Sequence, residues 1–278
     1  MVIWELEKAL REILKENAAF EAKEIIMSVC GMSTSDWIIN RKAEVKEEHV
    51  NKALEMAHRR ISGEPLQYII GKAGFMGMDF EVNKNTLIPR QDTETLIETL
   101  IDMIGDRKVS ILDIGTGSGC IGISLGKFLE DARITVLDIS QEALNTALRN
   151  ADRNGVKIKA VCKDILSEIP EGKYDVIVSN PPYIQTSIIK SLQTEVRDYE
   201  PLSALDGGSD GLLFYRRITD IAPRLLNEKG ILTYEIGYDQ GKKVHMLMEK
   251  DFYDIRIIKD YCGNDRVITG KKTGINNL

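Results

Sequence analysis

Apolar positions in the first sixty residues recur every three or four places. Leu6, Leu10, Ile13 and Leu14 make one stripe, Ile25, Ile26 and Val29 a second, and Val50, Leu54 and Ala57 a third. That spacing puts each set on one face of an α-helix, and Gly31 and Gly63 stand where helices stop. Residues 1–62 are therefore predicted to form a small all-helical domain. The pattern then breaks. Gly63, Pro65, Gly71, Gly74 and Gly77 separate short apolar runs at 68–70, 75–76 and 80–82, which predicts a β-hairpin linker over 63–90. Asp92 or Thr93 can cap the next helix, whose apolar face is Leu96, Ile97, Leu100, Ile101 and Ile104.

Beyond residue 108 the period changes again. Short β-type runs at 109–114, 134–137, 158–162, 176–179, 231–236 and 255–258 with 266–269 alternate with helical patterns, including 142–154 and 212–226. Such alternation implies a mostly parallel sheet with helices on both faces, so residues 91–278 are read as an α/β domain. The polar tail 271–278 is expected to fray.

Composition alters this picture little. Of the 278 residues, 43% are hydrophobic and 29% charged, as in a globular protein with real cores. A net charge of −6 argues against a surface built to grip phosphates, and no nucleic-acid substrate is expected. Cys30, Cys120, Cys162 and Cys262 are scattered and read as free thiols of a reducing cytosol. His49, His58 and His245 lack metal-ligand spacing, so no metal site is expected. The first residues carry acids where a secretion signal needs bases, and no run approaches the roughly 20 apolar residues that span a bilayer. A soluble cytoplasmic protein is expected, with no sign of dimerisation.

Candidate chemistry clusters at predicted strand ends, where open α/β sheets place ligands. The first strand runs into Gly115, Thr116, Gly117, Ser118 and Gly119, and a helix follows. Glycines allow a tight turn and close approach of a ligand to the backbone, and 117–122 also satisfies the dinucleotide fingerprint. The second strand ends at Asp138, about 20 residues on, where an acid can accept from ribose hydroxyls. The third ends before Asp164 and Ile165, an acid and an apolar side chain suited to an adenine amino group and ring face. NAD and S-adenosyl-L-methionine both fit these features.

The fourth strand separates them. It runs out into Asn180, Pro181, Pro182 and Tyr183. Two prolines cannot continue a central strand, so the chain must leave the sheet as a stiff loop. An amide nitrogen is a poor nucleophile, and a catalyst must grip both of its N–H bonds. The Asn180 oxygen and the Pro181 carbonyl can accept them, Pro182 restricts the direction of that carbonyl, and Tyr183 can pack on a planar amide. Methylation of an amide or amino nitrogen is the expected chemistry. Rival readings are an adenine-N6 methyltransferase, a non-catalytic nucleotide-binding module and an NAD-dependent redox enzyme.

Taken together, the segments 65–71 (PLQYIIG), 87–90 (LIPR), 112–120 (LDIGTGSGC), 178–184 (VSNPPYI), 196–201 (VRDYEP), 204–208 (ALDGG), 235–241 (EIGYDQG) and 263–266 (GNDR) closely resemble the release-factor glutamine methyltransferases, the PrmC/HemK family. The resemblance implies a Rossmann-like class I methyltransferase domain that uses S-adenosyl-L-methionine and yields S-adenosyl-L-homocysteine. It implies methylation at N5 of the glutamine in the Gly-Gly-Gln motif of peptide chain release factors 1 and 2, with the helical domain helping to hold the factor. Carried over by position, Gly115 to Gly119 would hold the methionine part of the cofactor and Asp138 its ribose. Ile165 would meet the adenine, Asn180 would touch cofactor and substrate, and Pro181, Pro182 and Tyr183 would complete the glutamine site. After Arg90 the family usually has Pro-Glu-Thr-Glu; here Gln91, Asp92, Thr93 and Glu94 follow, and altered backbone stiffness with retained activity is expected.

Overall fold

A computed structural model describes residues 1–15 and 17–274. Contact density divides the chain into two units: Met1–Lys72 with Gln193–Tyr199, and Ala73–Leu192 with Glu200–Leu278.

The first unit is helical: α1 (Ile3–Leu14), α2 (Ala18–Cys30), α3 (Thr34–Ile39), α4 (Glu47–Ile61) and α5 (Leu66–Ile70). The stripes read from the sequence become its core, in which Leu6, Leu10 and Leu14 of α1 meet Ile25 and Ile26 of α2 and Ala57 of α4. Gly31 ends α2 in the left-handed region, with φ +63°. Within the predicted linker, the run at 68–70, expected to be β-type, belongs instead to the helix α5. Leu66 and Ile69 lie three apart and both bury in the helical core, which a strand would not allow. The hairpin itself is β1 (Lys72–Phe75) and β2 (Met78–Glu81).

In the second unit α6 (Glu94–Ile104), β3 (Ser110–Ile114), α7 (Cys120–Phe128), β4 (Arg133–Asp138), α8 (Gln141–Asn154), β5 (Ile158–Cys162) and β6 (Tyr174–Ser179) follow in order. After β6 comes α9 (Thr194–Tyr199), which belongs to the first unit; there Arg60 bonds both Glu21 and Glu195, at 2.9 and 2.6 Å. Then come α10 (Leu213–Leu225), β7 (Leu226–Glu235), α11 (Gly241–Met248), β8 (Phe252–Lys259) and β9 (Asp265–Lys272). The seven-stranded sheet has the order β5-β4-β3-β6-β7-β9-β8; its first five strands pair in parallel, and β9 pairs antiparallel with β7 and β8.

Alternation along each strand builds two cores. Ile111, Val136 and Val176 face α6, α7 and α8, while Leu112, Leu137 and Ile177 face α10 and α11. Neither Asp92 nor Thr93 caps α6 by a side-chain bond, because both are engaged elsewhere: Asp92 pairs with Arg266 at 3.0 Å and Thr93 binds Glu235. The tail expected to fray from residue 271 instead keeps Lys271 and Lys272 in β9, paired with β7 and β8. Residues 275–278 of that expectation lie outside the described residues. Among the described residues no helix is long and apolar enough to cross a membrane.

Candidate active site

The parallel register puts the carboxyl ends of four strands at one level. Ile114 of β3 pairs with Leu137 of β4 and with Ser179 of β6, and Asp138 pairs with Cys162 of β5. The residues just past those ends therefore converge: Gly115 after β3, Asp138 closing β4, Asp164 and Ile165 after β5, and Asn180 after β6. They line one cleft of ≈ 460 Å³ together with Gly117, Pro181 and Pro182. Its floor is apolar, with Ile114, Leu137, Phe214 and Ile218, and Lys84, Lys163 and Asp206 also line it.

The glycine turn is shaped for a ligand. Gly115 and Gly117 hold φ of +73° and +55°, and a side chain at Gly115 would meet no protein atom within 4 Å. Packing does not demand that glycine; left-handed backbone and open cleft space do. Asp138 closes the turn, since its carboxylate accepts from the Gly117 and Ser140 amides at 2.9 Å each. Burial pushes the Asp138 carboxyl upward, against the pull of those amides. It presents a fixed acceptor beside bare backbone, an arrangement that fits a ribose diol next to a short zwitterionic chain.

The remaining turn residues face inward. Thr116 is buried and donates to Asp113 Oδ2 at 2.5 Å. Asp113 also accepts from Gly122 N at 3.0 Å, and burial pushes its carboxyl up to about 6. Ser118 is buried and its carbonyl accepts from Asn150 at 2.9 Å. A Cβ on Gly119 would lie 2.7 Å from Ile123 and 3.0 Å from Ala147, so this glycine serves helix packing. None of these three lines the cleft. Asp164 lines it while accepting from Leu166 N and the Ser167 hydroxyl, at 2.9 Å each, and Ile165 is buried beside it.

The proline loop is held from behind. Ser179 donates to the Ile114 carbonyl at 2.6 Å, which fixes the strand end before Asn180. Gln240 donates to the Tyr183 and Gly211 carbonyls at 3.0 and 3.2 Å. The Tyr183 ring is turned to the protein interior, its hydroxyl 3.5 Å from Glu235 Oε1, and it does not line the cleft. Burial and the nearby Glu235 charge raise its phenol further.

Sequence reasoning missed the group behind this loop. Glu235, at the end of β7, is only 2% exposed and receives the Thr93 hydroxyl at 2.6 Å. Burial pushes its carboxyl up to about 7, although Thr93 and Arg266 pull the other way. Nearby, Glu200 pairs with Arg90 and accepts from Ile88 N at 3.4 Å. Both acids stand in segments that carry the family resemblance, but their partners lie 142 and 110 residues away in the chain. For Glu235 the signal available was an acid near the end of the apolar β-type run 231–236; Glu200 follows a helix and had no such mark.

Two family models match: the PrmC N-terminal domain over residues 2–71 and the Methyltransferase small domain over residues 90–196. A release factor glutamine methyltransferase of Geobacter sulfurreducens is 39% identical over 257 residues, spanning 92% of this chain and 90% of its own length. The protein so named from Bacillus cereus is 37% identical over 278 residues, spanning 96% and 98%. Among solved structures, a methyltransferase from Pyrococcus furiosus superposes with a TM-score of 0.54 at 20% identity, covering 80% of this chain and 99% of that one. That likeness is one of fold, and the fold is that of the class I methyltransferases.

Proposed function

Since this chain belongs to the release factor glutamine methyltransferase family, we propose that it methylates N5 of the glutamine in the Gly-Gly-Gln motif of peptide chain release factors 1 and 2. The methyl donor is S-adenosyl-L-methionine and the product S-adenosyl-L-homocysteine. One observation carries this reading: Asn180 and the two prolines line the same cleft as Asp138 and the glycine turn. When bound, S-adenosyl-L-methionine supplies a methyl group made electrophilic by its sulfonium.

Asp138 would take the ribose hydroxyls, the bare backbone at Gly115 and Gly117 the methionine part, and Ile165 and Asp164 the adenine. Asn180 accepts one substrate N–H through its side-chain oxygen, and the Pro181 carbonyl accepts the other. Both acceptors sit on a loop that cannot relax, since prolines fix its backbone and Gln240 holds its far end. Orientation and fixed dipoles of this kind supply the rate enhancement. Residues 1–62 help to hold the release factor, 63–90 join them to the catalytic region 91–278, and the chain works as a cytoplasmic monomer.

Purified release factor 1, incubated with the protein and S-adenosyl-L-methionine, is expected to gain one methyl on the Gly-Gly-Gln glutamine, as read by mass spectrometry of the tryptic peptide. Methyl incorporation into nucleic acid with none into the factor would overturn the assignment.

A further inference from the structure

An asparagine amide can face a cleft in two ways, and only one of them accepts an N–H. The protein must therefore specify which end of the Asn180 side chain points at substrate. Its neighbours do so. Thr93 Oγ1 lies 2.6 Å from Glu235 Oε2 and 3.5 Å from Asn180 Nδ2. Thr93 and Glu235 are each only 2% exposed, so water does not compete for these groups. A threonine hydroxyl has a single proton and two lone pairs. When Glu235 is ionised, the short contact commits that proton to the carboxylate in a charge-assisted bond. Toward Asn180 the hydroxyl can then only accept, which draws the NH2 end inward and leaves the oxygen end for the cleft. The 3.5 Å separation is long for such a bond, as expected of a catalytic contact that tightens when substrate is held.

Thr93 itself is fixed. It ends the short 3-10 turn Gln91–Thr93, and the adjacent Asp92 pairs with Arg266 at 3.0 Å. Glu235 is held by its strand and lies beside Arg266 and the Tyr183 hydroxyl.

We propose that Thr93, oriented by Glu235, is a positioning residue that turns the Asn180 side-chain oxygen toward the substrate amide. This relay presupposes the glutamine methylation proposed above. Thr93→Val keeps the volume of the side chain and removes the hydroxyl, freeing the Asn180 amide to flip. Thr93→Ser restores the hydroxyl.

The test is steady-state kinetics of the full chain with purified release factor 1 and tritiated S-adenosyl-L-methionine. Thr93→Val is expected to lower kcat roughly 10- to 100-fold, because a misaimed group costs rate and not affinity. KM for the release factor and for S-adenosyl-L-methionine stays within about 3-fold, and Thr93→Ser recovers most of kcat. In an Asn180→Ala background, Thr93→Val costs less than about 2-fold more, since its effect runs through the missing amide. A purely structural threonine would give additive losses. If Thr93→Val does not fold, Glu235→Gln is compared with wild type in the same two backgrounds, with the same non-additive loss expected. Wild-type kcat in the substituted protein, losses that add, or a change confined to KM would each overturn the relay. A wild-type protein that methylates no release factor would overturn the functional assignment instead.

Discussion

At the scale of single residues, acceptors and carboxylates in this cleft differ by what is fixed behind them. Asn180 is half-buried, with its NH2 end toward Thr93, and its free oxygen is the group asked to hold a substrate N–H. Asn180→Ala should lower kcat about 10²-fold or more, by analogy with removal of a preorganised partner elsewhere. Tritium transfer at saturating substrate measures it, and a rate near wild type would remove Asn180 from the mechanism. Asp138 is tied to two backbone amides at 2.9 Å, so its carboxylate is both a brace of the glycine turn and a ligand acceptor. A bond to a charged acceptor contributes about 1.5–3 kcal/mol, so Asp138→Asn should weaken S-adenosyl-L-methionine binding roughly 10- to 100-fold. Titration calorimetry reads this directly, and unchanged affinity would place the ribose elsewhere.

At the scale of elements, the register of the parallel strands brings distant residues to one level, and loop packing then holds them. Two glycines in the segment after the proline loop let backbone meet backbone. A Cβ on Gly207 would lie 2.8 Å from the Pro182 carbonyl, and one on Gly211, where φ is +73°, 2.4 Å from the Tyr183 carbonyl. Gly211→Ala must therefore displace the proline loop or strain its own backbone. We expect a stability loss on the order of 1–3 kcal/mol and a kcat loss of about 10-fold or more, as acceptors move off line. Thermal melts and single-turnover rates check the two effects; normal turnover would mean that loop position is not critical.

At the scale of the whole molecule, the catalytic unit carries carboxyls that burial raises above their ordinary values, among them Asp113 to about 6 and Glu235 to about 7. A carboxyl whose folded pKa is raised binds its proton more tightly when folded. Its contribution to stability is thus complete below the unfolded value and is lost as pH rises through the folded one. For Glu235 that window runs from about 4.5 to about 7, with a span on the order of 3 kcal/mol. Carboxyls lowered by partners, such as Glu81 beside Arg149, act in the opposite sense, so the comparison must be internal. Glu235→Gln should gain stability relative to wild type as pH rises across that window, as measured by urea unfolding. A difference independent of pH would mean that Glu235 titrates normally.

Much of this protein was legible in the chain itself. Helical stripes, strand alternation, the glycine turn, Asp138 and the proline pair are local patterns, set by backbone geometry over a few residues, and strand ends are where such sheets place ligands. Local pattern failed at 68–70, a short apolar run that reads as a strand until Leu66 and Ile69, three apart, bury together in a helical core. It also failed at Asp92 and Thr93, whose side chains serve partners 174 and 142 residues away instead of the helix they precede. Only the folded sheet, by setting the end of β7 behind the end of β6, decided which end of an amide would face the cleft. Hydrogen bonds between distant segments leave no periodic trace in a sequence.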